Sequence, residues 1–277
     1  MNILITGGKG FLANELVKYF SNSKYKYNLI VTDQRTLNPT LDWQVREIFE
    51  QMDIDFVIHT AVKGGKRIDG ENVNHLFDNI AMFNNLSAQS NKFKLMFNFG
   101  SGAEFDRRTN ISSAKEDDES CPADYYGLSK KVIKREIDKI ENFYNLRIFG
   151  CFGVDEADTR FIKSAVRNVK EGKPIEIHQN RYMDFIYIED LCKVVEHYVE
   201  NISKKTLAKD MNLCYNKNKS LLDIANKINK LMGNDFENVI IKQSGYHTEY
   251  TGDGQKMHSL DLELCGLDKG LERWINV

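Results

Sequence analysis

The segment Thr6-Gly7-Gly8-Lys9-Gly10-Phe11-Leu12-Ala13 constrains this chain more than any other. It follows a short apolar run, Ile3 to Thr6, and opens a stretch in which Phe11, Leu12, Leu16, Val17 and Phe20 recur at helical spacing. A glycine-rich turn in that position leaves backbone N–H groups at a helix N-terminus, where they attract an anion. Gly7 permits a tight turn, Gly10 lets the backbone approach a pyrophosphate, and Ala13 is small enough for close helix-to-strand packing. The pattern predicts a dinucleotide cradle to which Gly7, Gly10, Phe11 and Leu12 contribute.

Three further apolar runs, Leu29 to Thr32, Phe56 to Thr60 and Leu95 to Phe99, alternate with amphipathic stretches. That rhythm predicts an α/β chain with a Rossmann-type doubly wound parallel sheet over residues 1–150. One long helix is expected over 124–143, with Val132, Ile133, Ile137 and Ile140 on one side. Residues 151–277 are expected to form mainly a smaller substrate-binding lobe, with segments returning to the first domain. There, residues 160–172 read as a helix stopped by Gly172 and Pro174, and 220–233 as one begun by Ser220 and ended by Gly233.

Asp33 ends the second run, about 20 residues beyond the glycines, where a carboxylate accepts from the adenine ribose hydroxyls. It favours NAD over NADP, because a 2′-phosphate meets its charge; Arg35, two residues on, tempers that preference. Leu41 and Asp42 are placed at the border of the adenine.

Lys and Arg number 38 against 40 Asp and Glu, so no overall field favours nucleic acid or an anionic membrane. The five cysteines are odd in number and form no C-x-x-C pair, which points to reduced thiols and a cytoplasmic protein. The six histidines lack metal-ligand spacing, and no metal is expected. The first residues carry no basic leader pattern and no apolar run approaches the roughly 18 residues that span a bilayer, so a protein neither secreted nor membrane-embedded is expected.

Tyr126-Gly127-Leu128-Ser129-Lys130 sets a phenol and an ammonium four residues apart, on one helix face. A free tyrosine, with pKa about 10, is a poor base at neutral pH, but a neighbouring ammonium stabilises its phenolate. Tyr126 is thereby fitted to exchange a proton with a hydroxyl or ketone, and Lys130 to reach a nicotinamide ribose. Ser101, where the fourth run ends in Gly100-Ser101-Gly102-Ala103, is positioned to donate to the same substrate oxygen. These three are the candidate catalytic residues.

Together these pieces resemble the extended short-chain dehydrogenase/reductase family, the group of nucleotide-sugar epimerases, dehydratases and reductases, over nearly the whole chain. Residues 57–65 (VIHTAVKGG) look like the family's segment beside the cofactor, Asn79 like its helix asparagine, and 181–191 (RYMDFIYIEDL) like its R-D-F-x-Y-V-x-D segment. The resemblance implies NAD or NADP as cofactor, with Thr60, Ala61, Val62 and Asn79 beside it. It implies a nucleotide diphosphate sugar as substrate, with Gly102, Arg160 and Arg181 available to it, and a homodimer packed through the helices near 72–90 and 124–143.

Departures from the family narrow the activity. The dehydratases carry an Asp-Glu pair after the hydroxyl residue, where Gly102-Ala103 stands here; an alignment bringing Glu104 to the glutamate position would put Gly102 at the hydroxyl position. The fucose-synthase-like enzymes, which 38–45 and 55–65 resemble, use a cysteine where Ala103 stands, and a later histidine that 154–167 lacks. Gly150-Cys151-Phe152-Gly153 replaces the usual Asn-Val-Tyr-Gly, and Met183 replaces a basic residue before Asp184. Simple hydride transfer remains: reduction of a 4-keto-6-deoxy-sugar nucleotide, or 4-epimerisation with retained NAD. A dinucleotide-binding regulator without catalysis is the reading from another class.

Overall fold

The computed structural model describes residues 1–65, 70, 72–119, 121–203, 207–217, 219–234 and 238–276. The four apolar runs become parallel strands β1 (Asn2–Thr6), β2 (Asn28–Thr32), β3 (Phe56–His59) and β4 (Leu95–Ser101), with β5 (Ile111–Ala114) following later. Helices α1 (Phe11–Ser21), α2 (Asp42–Gln51), α3 (Val73–Ser87) and α4 (Tyr125–Ile137) alternate with them. After these come β6 (Phe143–Ile148), β7 (Cys151–Phe152), α5 (Phe161–Lys170), β8 (Ile175–Asn180), β9 (Ile186–Tyr187), α6 (Ile188–Glu200) and β10 (Asp210–Leu213). The chain closes with α7 (Leu221–Leu231), β11 (Val239–Tyr246), β12 (Tyr250–Gly252), α8 (Gln255–His258) and α9 (Gly266–Ile275).

Two compact units result. The first holds Met1–Asp106, Glu119–Arg147 and Val194–Met211, and the second holds Arg107–Asp118, Ile148–Lys193 and Asn212–Val277. The six-stranded sheet of the first unit runs β10-β6-β4-β3-β1-β2. Strand order reverses between β1 and β3, and in open α/β sheets such a reversal opens a crevice beyond the carboxyl ends of the strands.

Its core is aromatic on the α3–α4 side. Phe143, fully buried, meets Phe83 and Phe93 with ring centroids 5.7 Å away in each case. Helix α4 is shorter than the 124–143 expected from periodicity. It ends at Ile137, and a turn through Ile140 N–H to Ile137 C=O delivers Phe143 into β6, while Ile140 still packs on the core. The returning 194–211 segment is tied down by Glu196, which accepts from Tyr19 (3.0 Å) and Ser23 (2.5 Å), and by Glu200, which accepts from Tyr27 (2.7 Å).

The second unit pairs β8 with β11, β5 with β12 and β7 with β9, all in parallel. Ser220 caps α7 as its sequence position predicts: its hydroxyl accepts the Asp223 N–H, and the Asp223 carboxylate accepts the Ser220 N–H. Asp190, at the start of α6, is fully buried and accepts from Tyr215 Oη (2.6 Å) and from the N–H groups of Cys265 and Gly266 that open α9. Among the described residues no helix is long and apolar enough to cross a membrane.

Glu156 leads to a stability prediction. It is 4% exposed, its Oε1 has no hydrogen-bond partner among the described residues, and burial pushes its carboxyl up to about 8 against the pull of Arg160 and Lys163. A carboxyl whose folded pKa lies above its unfolded one stabilises the fold when protonated, and that contribution is lost as pH rises from the unfolded value through about 8. Glu156→Gln should therefore be more stable than the parent at pH 8, on the order of 4 kcal/mol, and nearly equal to it at pH 4. Denaturant titrations at the two pH values check this; an equal offset at both would contradict it.

Candidate active site

Strand register brings the predicted residues to one edge of the sheet. Thr6 pairs with Thr32 on one side and His59 on the other, and His59 pairs with Asn98. Gly7, Asp33, Thr60 and Ser101 thus all lie at or just past the carboxyl ends of neighbouring strands, in the first unit.

Gly7 adopts φ +75°, and a side chain there would start 2.7 Å from the Ala61 nitrogen and 3.0 Å from Thr60 Oγ1. Only glycine combines that backbone with that proximity. Beneath the turn, Thr60 Oγ1 donates to the Thr6 carbonyl (2.6 Å), the Ala61 N–H donates to Thr6 Oγ1 (3.3 Å), and Thr6 Oγ1 lies 2.8 Å from His59 Nδ1. Burial, with the Lys130 ammonium nearby, holds His59 down at about 3, so the ring is neutral. Gly10 is the N-cap of α1 and has no side chain to cap with, so the amides of the first turn of Phe11 and Leu12 face outward unclaimed by a cap. Ala13 is fully buried beneath them.

Asp33 accepts the Arg35 N–H (2.8 Å) through one oxygen and pairs with Lys9 Nζ (2.7 Å) through the other, which holds its carboxyl below the usual range. Arg35 is exposed beside it. Leu41 is the exposed N-cap of α2, and the Asp42 carboxylate pairs along its own helix with Arg46 (2.6 Å). Val62 is exposed in the loop after β3. Asn79, 2% exposed, accepts the Lys63 N–H and donates to the Lys63 carbonyl and Ser129 Oγ, so it ties that loop to α4.

Helix α4 is capped by Asp124, whose carboxylate accepts the Gly127 N–H (2.7 Å), and Tyr126 is its second residue. A side chain at Gly127 would start 2.2 Å from the Ala103 carbonyl oxygen, so the helix lies directly on the turn that carries Ser101. That turn is a single 3₁₀ turn, Gly102–Glu104: Ser101 Oγ accepts the Ala103 N–H (3.2 Å) and keeps its own proton to donate. Lys130 is 6% exposed, with Nζ 5.8 Å from the Tyr126 ring centre and donating to the Phe99 carbonyl (2.7 Å). Burial brings its ammonium down to about 8, against the opposing charge of Glu104.

Arg160 and Arg181 belong to the second unit. Arg160 is the exposed N-cap residue of α5, and the Arg181 guanidinium lies 5.6 Å from the Tyr250 ring centre. Lys9 and Arg147 stand near the site although the sequence assigned them no role, and Glu104 is there although the sequence offered it only through an alternative alignment. Lys9 had a local signal, a cation inside the glycine turn one strand away from Asp33. The pairing of Arg147 with Glu104 had none, because it spans 43 positions.

Residues 3–214 match the family described as NAD-dependent epimerase/dehydratase. The chain belongs to that family. A relative, the GDP-6-deoxy-D-talose 4-dehydrogenase of Aggregatibacter actinomycetemcomitans, is 25% identical over 226 residues, covering 77% of this chain and 74% of that protein. Of solved structures, GDP-mannoheptose C4 reductase from Campylobacter jejuni with NADP bound is similar at TM-score 0.80 and 21% identity, covering 100% and 98% of the two chains. UDP-N-acetylglucosamine 4-epimerase from Bacillus cereus is similar at TM-score 0.77 and 20% identity, covering 100% and 96%. At those identities the two structures attest the fold that this member of the epimerase/dehydratase family shares with them.

Proposed function

We propose that this family member is an NAD(P)H-dependent reductase of a nucleotide-linked 4-keto-6-deoxy sugar. The observation that carries the proposal is the packing of α4 at Gly127 onto the Ser101 turn, with Lys130 buried behind the Tyr126 ring. The Aggregatibacter relative, a dehydrogenase at C4 of a GDP-linked 6-deoxy sugar, agrees with it.

The dinucleotide fits the residues present: Gly7 opens a cradle that any side chain would fill, the first turn of α1 is uncapped, and Asp33 stands at the end of β2. Gly7, Gly10, Phe11 and Leu12 would hold its pyrophosphate, Asp33 its adenine ribose, and Leu41 and Asp42 the rim beside the adenine. When bound, a reduced nicotinamide supplies the hydride. Ser101 donates to the ketone oxygen, and Tyr126 gives that oxygen its proton as it becomes a hydroxyl. The Lys130 ammonium stabilises the phenolate left on Tyr126. Gly102, Arg160 and Arg181 are proposed as substrate contacts. NADH is the proposed preference over NADPH, since Asp33 stays ionised and repels a 2′-phosphate, an effect that Lys9 and Arg35 reduce.

Elimination chemistry is disfavoured by the state of Glu104, the remaining carboxylate of the Ser101 turn. Both of its oxygens are engaged, one with the Ser101 N–H and the other with Arg147, and the residue is 0% exposed, which withholds it from a substrate proton. The second reading, 4-epimerisation, uses the same three residues with a retained cofactor. Deuterium from C4-labelled NADH tests the choice: the reductase leaves label at C4 of the sugar in stoichiometric amount, whereas an epimerase with retained NAD leaves none.

The chain is also proposed to form a homodimer through α3 and α4, which expose Val73 and Phe77, and Tyr125 and Leu128. Sedimentation should show a dimer, and Phe77→Glu with Leu128→Glu a monomer; a monomeric parent would refute this.

A further inference from the structure

We infer that Glu104 is a positioning residue: its buried carboxylate fixes the turn that carries Ser101 and holds a negative charge close to Lys130. The inference rests on the reading of Ser101, Tyr126 and Lys130 as the reacting set.

Glu104 is 0% exposed. A carboxylate taken out of water is costly unless it is paired and its lone pairs are filled. Oε1 accepts the Ser101 N–H (3.0 Å) and lies 3.5 Å from Asn145 Nδ2, and Oε2 accepts from Arg147 Nε (3.0 Å) and Nη2 (2.6 Å). Arg147 is itself 1% exposed and donates to Asp210 (2.9 Å), which also accepts from Asn145 (2.9 Å). Gly100 makes the room: a side chain there would start 2.4 Å from Glu104 Oε1. Replacing a buried ion pair by apolar residues of similar volume is often neutral or stabilising, so stability alone does not call for this network. A charged network built against the Ser101 turn, and at the expense of a side chain at Gly100, therefore points to a role in the site.

The charge has a target. Lys130 is buried and donates to the neutral Phe99 carbonyl on β4, two residues before the Ser101 N–H that Glu104 accepts, and Glu104 is the charge that opposes the downward pull of burial on its ammonium. The other groups around the pair are accounted for. His59 on β3 is neutral, Arg147 on β6 is turned to its two carboxylates, and Asp210 on β10 is bound by Arg147 and Asn145. On α4 itself Lys131 also feels Glu104, and Lys134 pairs with Asp138. Removing the Glu104 charge makes the Tyr126–Lys130 pair give up its proton at lower pH, whichever of the two releases it first.

The test compares wild type, Glu104→Gln and Asp210→Asn by two readouts: the ¹³C NMR titration of the Lys130 side chain in the cofactor-free protein, assigned with Lys130→Arg, and the pH profile of kcat/KM for keto-sugar reduction. Glu104→Gln should lower the Lys130 midpoint by about half a unit to one unit and move the alkaline limb of the profile down with it. Asp210→Asn, which loosens Arg147 without touching Ser101, should lower thermal stability and leave both readouts in place. If Glu104→Gln does not fold, Glu104→Gln with Arg147→Gln removes both members of the pair and carries the same expectation, because Glu104 is the one acting on Lys130. A folded variant lacking the Glu104 charge with an unmoved midpoint overturns the inference, as does an equal shift in Asp210→Asn. If the wild type reduces no keto-sugar, the NMR titration still decides: a lowered midpoint keeps the hold of Glu104 on Lys130 while the proposed reaction fails.

Discussion

Tyr126→Phe should lower the rate of ketone reduction by about 10²- to 10⁴-fold and leave dinucleotide affinity near that of the parent. The substitution deletes one hydroxyl and keeps the ring that packs beside Lys130. Nothing that holds the pyrophosphate or adenine ribose in the proposed cradle depends on that hydroxyl, since the glycine turn and Asp33 lie on other elements. The loss should fall on kcat at every pH, because no other group on α4 occupies the position of the phenol. Stopped-flow mixing of protein, NADH and keto-sugar, with dinucleotide affinity measured separately by fluorescence, checks both halves. A variant that keeps most of the parent rate would remove Tyr126 from the reaction, and one that loses dinucleotide binding would make it a structural residue.

Gly127→Ala is the second large effect, and its sign opposes helix propensity. On an exposed helix, glycine to alanine stabilises by about 1 kcal/mol. Here the added carbon would sit 2.2 Å from the Ala103 carbonyl oxygen, a backbone atom that no rotamer change can move away. Either α4 retreats from the Ser101 turn or the turn deforms, and both separate Tyr126 from Ser101. A displacement of about 1 Å at a reacting centre costs roughly 10²-fold in rate, and overpacking of this kind costs about 1–3 kcal/mol in stability. The expected result is a kcat lowered by about two orders of magnitude together with a lower Tm. Parent-like values of both would mean that α4 does not register the site through this contact.

What the amino-acid sequence disclosed, it disclosed through local patterns. The glycine turn, the four apolar runs, the Ser220 cap and the Tyr126–Lys130 spacing are each set within a few residues, where steric and periodic rules apply directly. Glu104 shows the limit. In sequence it stands beside Ser101 as a possible elimination residue; in the fold it is committed to Arg147, 43 positions away, a pairing no periodicity encodes. Lys9 is a milder case, since its ion pair with Asp33 depends on β1 and β2 being neighbours. The second unit was less legible because its strands pair over long separations, as Ile111 does with Tyr250, and several are too short to produce an alternating pattern. The end of α4 was overestimated because Ile140 continues the helical periodicity into a turn while still reaching the core.

The most direct test of the proposed reaction is the absorbance of the reduced-nicotinamide band when purified protein meets a nucleotide 4-keto-6-deoxy sugar with NADH, and in parallel with NADPH. The reductase reading predicts net oxidation in proportion to the sugar supplied, faster with NADH and slowed by about 100-fold or more in Tyr126→Phe. No net oxidation with either cofactor, together with NAD released when the protein is denatured, would contradict it and identify a 4-epimerase instead.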